Sequence, residues 1–251
     1  MFGGPSGRGK GSKLRIIGID SAVQDKNIGV VLCEYSNQQI HIKDKWDKIN
    51  AFESQITKWI DSNKIILAID SPLGWPKAFS EKLYDHNAGM TLGNDDKSFF
   101  KRQTDSDISQ RFGKIQLEVS ADRIARTAFH TLRRLGCLKN VCTRKIEILW
   151  DPIDDFDIGY IEVYPASTLL ANKVSIKGYK QSEEQRKKIF EGISKHYTII
   201  NDESTNIIDV EHDFDAFICC LAGFDFIENR SKRYKELNNT IRKEGWIWTK
   251  E

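Results

Sequence analysis

The chain has 251 residues, 39% of them hydrophobic, and its 38 basic and 36 acidic side chains leave a net charge of +2. This length and composition predict one folded domain and exclude a disordered or fibrous protein. The sequence has no run of about 18 apolar residues, which a membrane span requires, and its first residues do not predict a secretory signal. We therefore expect a cytoplasmic protein without a membrane partner.

The first half of the chain predicts a short leader followed by the beginning of a sheet. Residues 1–13 hold five glycines and three basic residues, which predicts a flexible, basic, glycine-rich leader before a single domain over 14–251. Apolar runs predict four strands, over residues 14–20, 28–35, 40–46 and 64–70. Between the last two strands, apolar side chains at helical spacing predict a helix over residues 51–62.

The second half predicts a helical insertion and then a return to alternating strands and helices. Strand signals disappear over about residues 75–150, where a helix is predicted over 119–135. The later predicted elements are a strand over 158–164, a helix over 180–196, a short strand over 198–200 and an apolar helix over 213–227. This order of elements predicts an α/β domain with a mixed sheet.

Aspartates stand where three of the predicted elements begin or end. Asp20 and Asp70 each end a strand, and Asp213 and Asp215 open the last helix. Because the carboxyl ends of parallel strands form the ligand crevice of open sheets, Asp20 and Asp70 are expected to face one site. Carboxylates gathered there repel one another unless a divalent cation such as Mg²⁺ or Mn²⁺ neutralises them, and two such ions can cleave a phosphodiester. Each aspartate alone would also fit a turn or a helix N-cap.

A strongly basic segment lies inside the predicted insertion. Residues 97–147 carry twelve basic and five acidic side chains, so the rest of the chain is negative. Lysine and arginine that neutralise phosphates release counterions, and the segment is therefore expected to bind nucleic acid and to form one wall of the site. Phe99, Phe100 and Phe112 lie within it, and they would either stack on unpaired bases or form the insertion's own small core.

Several short phrases occur along the chain in a characteristic order: IIGIDSA, LAIDSPLG, KRQTD, IEVYPAS and EHDFDAFICCLAGF, followed by EGWIW. Together they resemble the domain-of-unknown-function 429 family of predicted RNase H-like nucleases, from about Leu14 to Trp248. The resemblance implies an RNase H-like mixed five-stranded sheet flanked by helices, with a helical insertion after the fourth strand. It also implies a nuclease that cleaves DNA or RNA and requires Mg²⁺ or Mn²⁺.

The resemblance further implies which carboxylates hold the metal. They are Asp20 on the first strand, Asp70 at the end of the fourth and Asp215 at the start of the last helix. His212 lies three residues before Asp215 and shares its helical face, whereas Asp213 lies two before it and does not. His212 is therefore the better candidate to join the site as a ligand or proton shuttle, although an unravelled helix start would reopen the choice.

Four further residues are candidates for supporting roles. Glu162 would assist the catalytic carboxylates, unless strand alternation points it away from them. The resemblance makes Arg102, Thr104 and Asp105 candidates for a phosphate or substrate clamp, since arginine binds phosphate through two hydrogen bonds. A solvated loop is the alternative interpretation of these three residues.

Two other functions remain open from the sequence. A protein that keeps the fold without catalysis would bind nucleic acid or act as a regulator, because function depends on the site rather than on the fold. Phosphotransferases of the actin and sugar-kinase type also place an aspartate after a first strand. They surround phosphate with glycine- and threonine-rich turns, whereas Ser21, Ala22 and Val23 follow Asp20 here. The sequence therefore favours the nuclease.

Overall fold

The structure, a computed structural model, describes residues 14–92, 96–113, 118–120, 122–201 and 205–251. The predicted leader over residues 1–13 lies outside this range. The described strands are β1 (Leu14–Asp20), β2 (Gly29–Ser36), β3 (Gln39–Lys45), β4 (Lys64–Asp70), β5 (Ile146–Ile148), β6 (Ile158–Glu162) and β7 (Thr198–Asn201). The described helices are α1 (Phe52–Trp59), α2 (Lys77–Leu83), α3 (Asp96–Phe100), α4 (Gln103–Phe112), α5 (Asp122–Val141), α6 (Pro165–Ala171), α7 (Glu183–Ile193), α8 (Glu211–Ile227) and α9 (Asn239–Glu244).

The strands form one mixed sheet of seven strands in the order β5-β6-β4-β1-β2-β3-β7. β1 runs antiparallel to β2 and parallel to β4, and β6 runs parallel to both of its neighbours, β4 and β5. β3 pairs antiparallel with β2 and parallel with β7. The prediction of an α/β domain with a mixed sheet is thereby confirmed.

The prediction of five strands is wrong in number, because short strands extend both ends of the sheet. β5 lies at the end of the insertion that was expected to be helical, and its three residues are too few to show a hydrophobic pattern. β7 corresponds to the short strand predicted over 198–200, and it joins the sheet by pairing Thr198 with the distant Gln39. The rest of the insertion is mainly helical, from α2 to α5.

Helices cover both faces of the sheet, and each face has its own hydrophobic core. Ile16 packs into the core that contains α8, whereas Ile17, which points to the opposite face, packs with residues of α1 and α5. Every residue of α8 from Asp213 to Ile227 is buried, as expected for a helix that is apolar all round. Among the described residues, no helix combines the length and apolar character that crossing a membrane requires.

Two glycines allow the start of α8 to lie directly against the strands. A Cβ atom at Gly18 would stand 1.9 Å from the carbonyl oxygen of Ala216, and one at Gly29 would stand 1.9 Å from that of His212. Any other residue at either position would push the helix away. Gly29 is also the cross-strand partner of Asp20, so these close contacts fix the polar start of α8 beside the end of β1.

Candidate active site

Asp20 and Asp70 lie side by side at one edge of the sheet. They are the last residues of β1 and β4, and they are register partners across this parallel pair. Because neighbouring strands are about 4.8 Å apart, the two carboxylates belong to one crevice. Asp215 reaches the same crevice from the second turn of α8, where its side chain is buried and its charge acts on both strand-end aspartates. We call this group the aspartate crevice.

The first turns of α8 present their polar side chains in two directions. His212 Nδ1 lies 2.6 Å from Asp20 Oδ2. Asp213 instead accepts a hydrogen bond from Lys45 Nζ at 2.7 Å, at the end of β3. This division follows from helical geometry, in which residues three apart share a face and residues two apart do not. His212 and Asp215 therefore face the aspartate crevice, and Asp213 does not.

Lys180, which the sequence analysis did not single out, also faces the crevice. It lies between α6 and α7, and its Nζ is 2.9 Å from Asp215 Oδ2 and 3.2 Å from Glu211 Oε1. Its burial would lower the pKa of Lys180, but the charges of Asp215 and Asp20 raise it, so the ammonium stays charged. The side chain is nevertheless 50% exposed, so it also contacts solvent.

Two carboxylates of the crevice keep oxygens without a hydrogen-bond partner. The Asp70 carboxylate forms no hydrogen bond or ion pair with any residue that the structure describes. Asp215 Oδ1 is buried and lacks a hydrogen-bond partner of ordinary geometry among the described residues. Burial raises the pKa of Asp215, while Lys180 and the Tyr179 hydroxyl act on the same carboxylate and lower it. Burial raises the pKa of Asp70 well above its ordinary value, and the charges of Asp20 and Asp215 raise it further. Burial likewise raises the pKa of Asp20 to about 6, although the hydrogen bond with His212 lowers it.

Glu162 and Arg102 form a buried network beside the crevice. Arg102 is 1% exposed, and its guanidinium donates to both carboxylate oxygens of Glu162, at 2.9 and 2.6 Å. It also donates to both oxygens of Asp105, at 3.1 and 2.9 Å, and to the Glu244 carbonyl at 2.9 Å. Burial would lower the pKa of Arg102, but the charges of Glu162 and Asp105 raise it. All five N–H donors of the guanidinium are therefore used inside the protein.

This network bears on the expected phosphate clamp of Arg102, Thr104 and Asp105, because their polar atoms are engaged inside the protein. Arg102 has no donor left for a bidentate contact with phosphate. Thr104 is buried as well, and its hydroxyl accepts a hydrogen bond from the Ile247 backbone N–H at 2.8 Å. The three side chains join the insertion to β6 and to the carboxyl-terminal segment, next to the crevice.

The basic segment contributes both to the edge of the crevice and to the core of the insertion. Arg134 of α5 donates to the carbonyl of Ala22 at 2.8 Å and pairs with Asp25 at 2.6 Å, which ties α5 to the loop after β1. Phe99 is buried and packs edge-to-face against Phe79. Of the two roles considered for the phenylalanines of this segment, the core role therefore describes Phe99.

The aspartate crevice has oxygen atoms of the kind that bind a hard divalent cation. His212 and Lys180, however, already contact two of its carboxylates. Within the described residues, no group of three or more His, Cys, Asp or Glu side chains is arranged to hold a metal ion. Oxygens of Asp20 and Asp215 contact His212 and Lys180 instead. The unpartnered oxygens of Asp70 and Asp215 are nevertheless the ligand type that Mg²⁺ and Mn²⁺ prefer.

The fold and the crevice define an α/β protein with a carboxylate cluster at the carboxyl edge of its sheet. The chain belongs to the DUF429 family, described as protein of unknown function, which matches residues 18–235. The family resemblance seen in the sequence is thereby confirmed. No curated protein and no solved structure matches the chain.

Proposed function

We propose that this protein is a divalent-metal-dependent phosphodiesterase that cleaves DNA or RNA. The observation that carries the proposal is the unpartnered Asp70 carboxylate beside the buried, unpartnered oxygen of Asp215. Carboxylates that are partly removed from water and repel one another either keep a proton, as the raised pKa values of Asp20 and Asp70 allow, or are held together by a cation. Asp20, Asp70 and Asp215 would hold Mg²⁺ or Mn²⁺, and the RNase H-like assignment of the fold is part of this proposal.

The bound ion would lower the pKa of water and stabilise charge on the phosphate. His212 orients Asp20 through their 2.6 Å contact, and it can exchange a proton at its ring nitrogens. Lys180 neutralises the crevice when no substrate is present, and its half-exposed ammonium can reach toward a phosphate. The supporting network of Arg102 and Glu162 keeps the strand ends in register through hydrogen bonds within the protein.

The test is a nuclease assay on single- and double-stranded DNA and RNA with Mg²⁺, Mn²⁺ or EDTA. We expect cleavage that EDTA abolishes and that Asp70→Asn lowers by about 100-fold or more, because even residues behind a metal ligand are worth 10–100-fold. Asp213→Asn is the matched control, since it removes a carboxylate from the same helix that faces Lys45 rather than the crevice. Its cleavage rate should stay within a few-fold of the parent.

A non-catalytic nucleic-acid-binding protein is the second candidate. It is favoured by the contacts of His212 and Lys180, which satisfy part of the crevice without a metal. This alternative predicts no heat of Mg²⁺ or Mn²⁺ binding in calorimetry and no cleavage on any substrate, together with retained binding of nucleic acid. That combination of results would exclude the phosphodiesterase.

A further inference from the structure

A cavity of about 120 Å³ adjoins the aspartate crevice and opens partly to solvent. Asp70 lines both the crevice and the cavity, so whatever fills the cavity lies next to the proposed reaction centre. Its apolar wall consists of Val119, Ile124, Val163 and Ile247. Its polar side consists of Asp70, the neighbouring Ser71, Tyr164 and the paired side chains of Arg102, Asp105 and Glu162. Apolar walls with a few placed polar groups are the usual form of a small-ligand site.

The size of the cavity suits a single planar ring. An enclosed apolar cavity of about 150 Å³ is large enough to bind benzene. A cavity of about 120 Å³ that is open on one side therefore accepts a ring of similar size whose substituents extend through the opening.

The charges around the cavity disfavour a phosphate as its occupant. Asp70 forms no ion pair with any described residue, although the charge of Lys180 acts on it, and the single charge of Arg102 at the cavity base is already shared by Glu162 and Asp105. An anion would be repelled, whereas a neutral polar ring would not. The Ser71 hydroxyl is buried, and its one hydrogen bond among the described residues is a 3.4 Å contact with the Pro72 carbonyl. It therefore keeps hydrogen-bonding capacity for a ligand.

We infer that this cavity binds one unstacked nucleobase of a nucleic-acid strand whose phosphate lies at the aspartate crevice. The choice of a nucleobase as the neutral ring rests on the proposed function. A base must leave its stack to enter such a pocket, at a cost of a few kcal/mol in a duplex and little in a single strand. The inference therefore predicts preferential action on single-stranded or unpaired substrate.

The test uses nucleosides, which carry no phosphate, in the presence of EDTA, which removes metal. Cytidine, uridine, adenosine and guanosine are titrated separately into protein with labelled methyl groups, and the signals are followed by NMR. We expect the methyl signals of Ile124, Val119 and Ile247 to shift. The signal of Ile153, which is 80% exposed and does not line the cavity, should not.

Three variants test whether the nucleoside binds in this cavity. Ile124→Trp places a large side chain in the cavity and should abolish the shifts, while Ile153→Trp, the matched surface control, should preserve them. Ser71→Ala should weaken nucleoside binding by about two- to tenfold, the usual value of one hydrogen bond. It adds no bulk and so remains informative if Ile124→Trp does not fold.

Several outcomes would overturn the inference. These are the absence of shifts at the wall methyls, shifts that persist in a folded Ile124→Trp, or equal binding of ribose or benzyl alcohol, which would indicate a cavity without base recognition. Failure of the proposed function is separable, because nucleoside binding does not require metal. Nucleoside binding without metal binding or cleavage would refute the phosphodiesterase alone, and metal-dependent cleavage without nucleoside binding would refute the base pocket alone.

Discussion

Replacing Asp20 by asparagine should make the metal-free protein more stable at neutral and alkaline pH. The substitution keeps the shape of the side chain and removes its charge from the aspartate crevice. Burial raises the pKa of Asp20 from 3.8 to about 6, with the His212 hydrogen bond opposing the shift. The side chain is only 13% exposed, so solvent screens this effect little.

The size of the effect follows from the pKa shift. Ionisation of a carboxyl group whose pKa is raised on folding destabilises the folded protein. For Asp20, this loss of stability is absent below the unfolded pKa of 3.8 and develops as pH rises through about 6. The shift of roughly two units corresponds to about 3 kcal/mol. At pH 8, Asp20→Asn should therefore gain up to about 3 kcal/mol, or a Tm increase of about 6 to 12 °C for a chain of this size. Near pH 4 the gain should disappear.

The assay is urea or thermal unfolding in EDTA between pH 4 and pH 8. Asp213→Asn serves as the control, because it breaks the 2.7 Å contact with Lys45 and should bring no gain at pH 8. Adding Mg²⁺ should then stabilise the parent more than Asp20→Asn, since a ligand stabilises only the state that binds it. A variant that is less stable than its parent at pH 8 would refute the reasoning, because the hydrogen bond with His212 would outweigh the burial of charge.

Three other substitutions test how the crevice is built. Lys180→Met should destabilise the metal-free protein at pH 7 and tighten Mg²⁺ binding in calorimetry, and unchanged metal affinity would show that the ammonium does not compete with the ion. Gly29→Ala should lower the free energy of unfolding in urea by about 1–3 kcal/mol. Gly136→Ala, which has open space around it, should be neutral or stabilising by up to about 1 kcal/mol. Equal effects of the two substitutions would contradict close packing of α8. Arg102→Met should lower the free energy of unfolding by about 3–5 kcal/mol, because it leaves buried carboxylates such as Glu162 without a cationic partner. A loss below about 1 kcal/mol would contradict the network.

Local sequence patterns determined the elements that carry the crevice. Apolar runs that end in Asp20 and Asp70 predicted β1 and β4 correctly at both ends. Helical spacing alone indicated that His212, rather than Asp213, shares a face with Asp215. These features depend on residues within a few positions of one another, where backbone periodicity fixes the direction of each side chain.

Contacts between distant residues were decided by the tertiary structure. The register that pairs Asp20 with Asp70 joins strands 50 positions apart, and the contacts of Lys180 with Asp215 and of Arg102 with Glu162 span 35 and 60 positions. The short strand β5 forms only because β6 lies beside it. Local sequence determines periodicity and chain direction, but burial and pairing arise only when the chain has folded. For that reason the sequence specified the carboxylates, while the tertiary structure specified the lysine that contacts Asp215 and the buried network that holds Arg102.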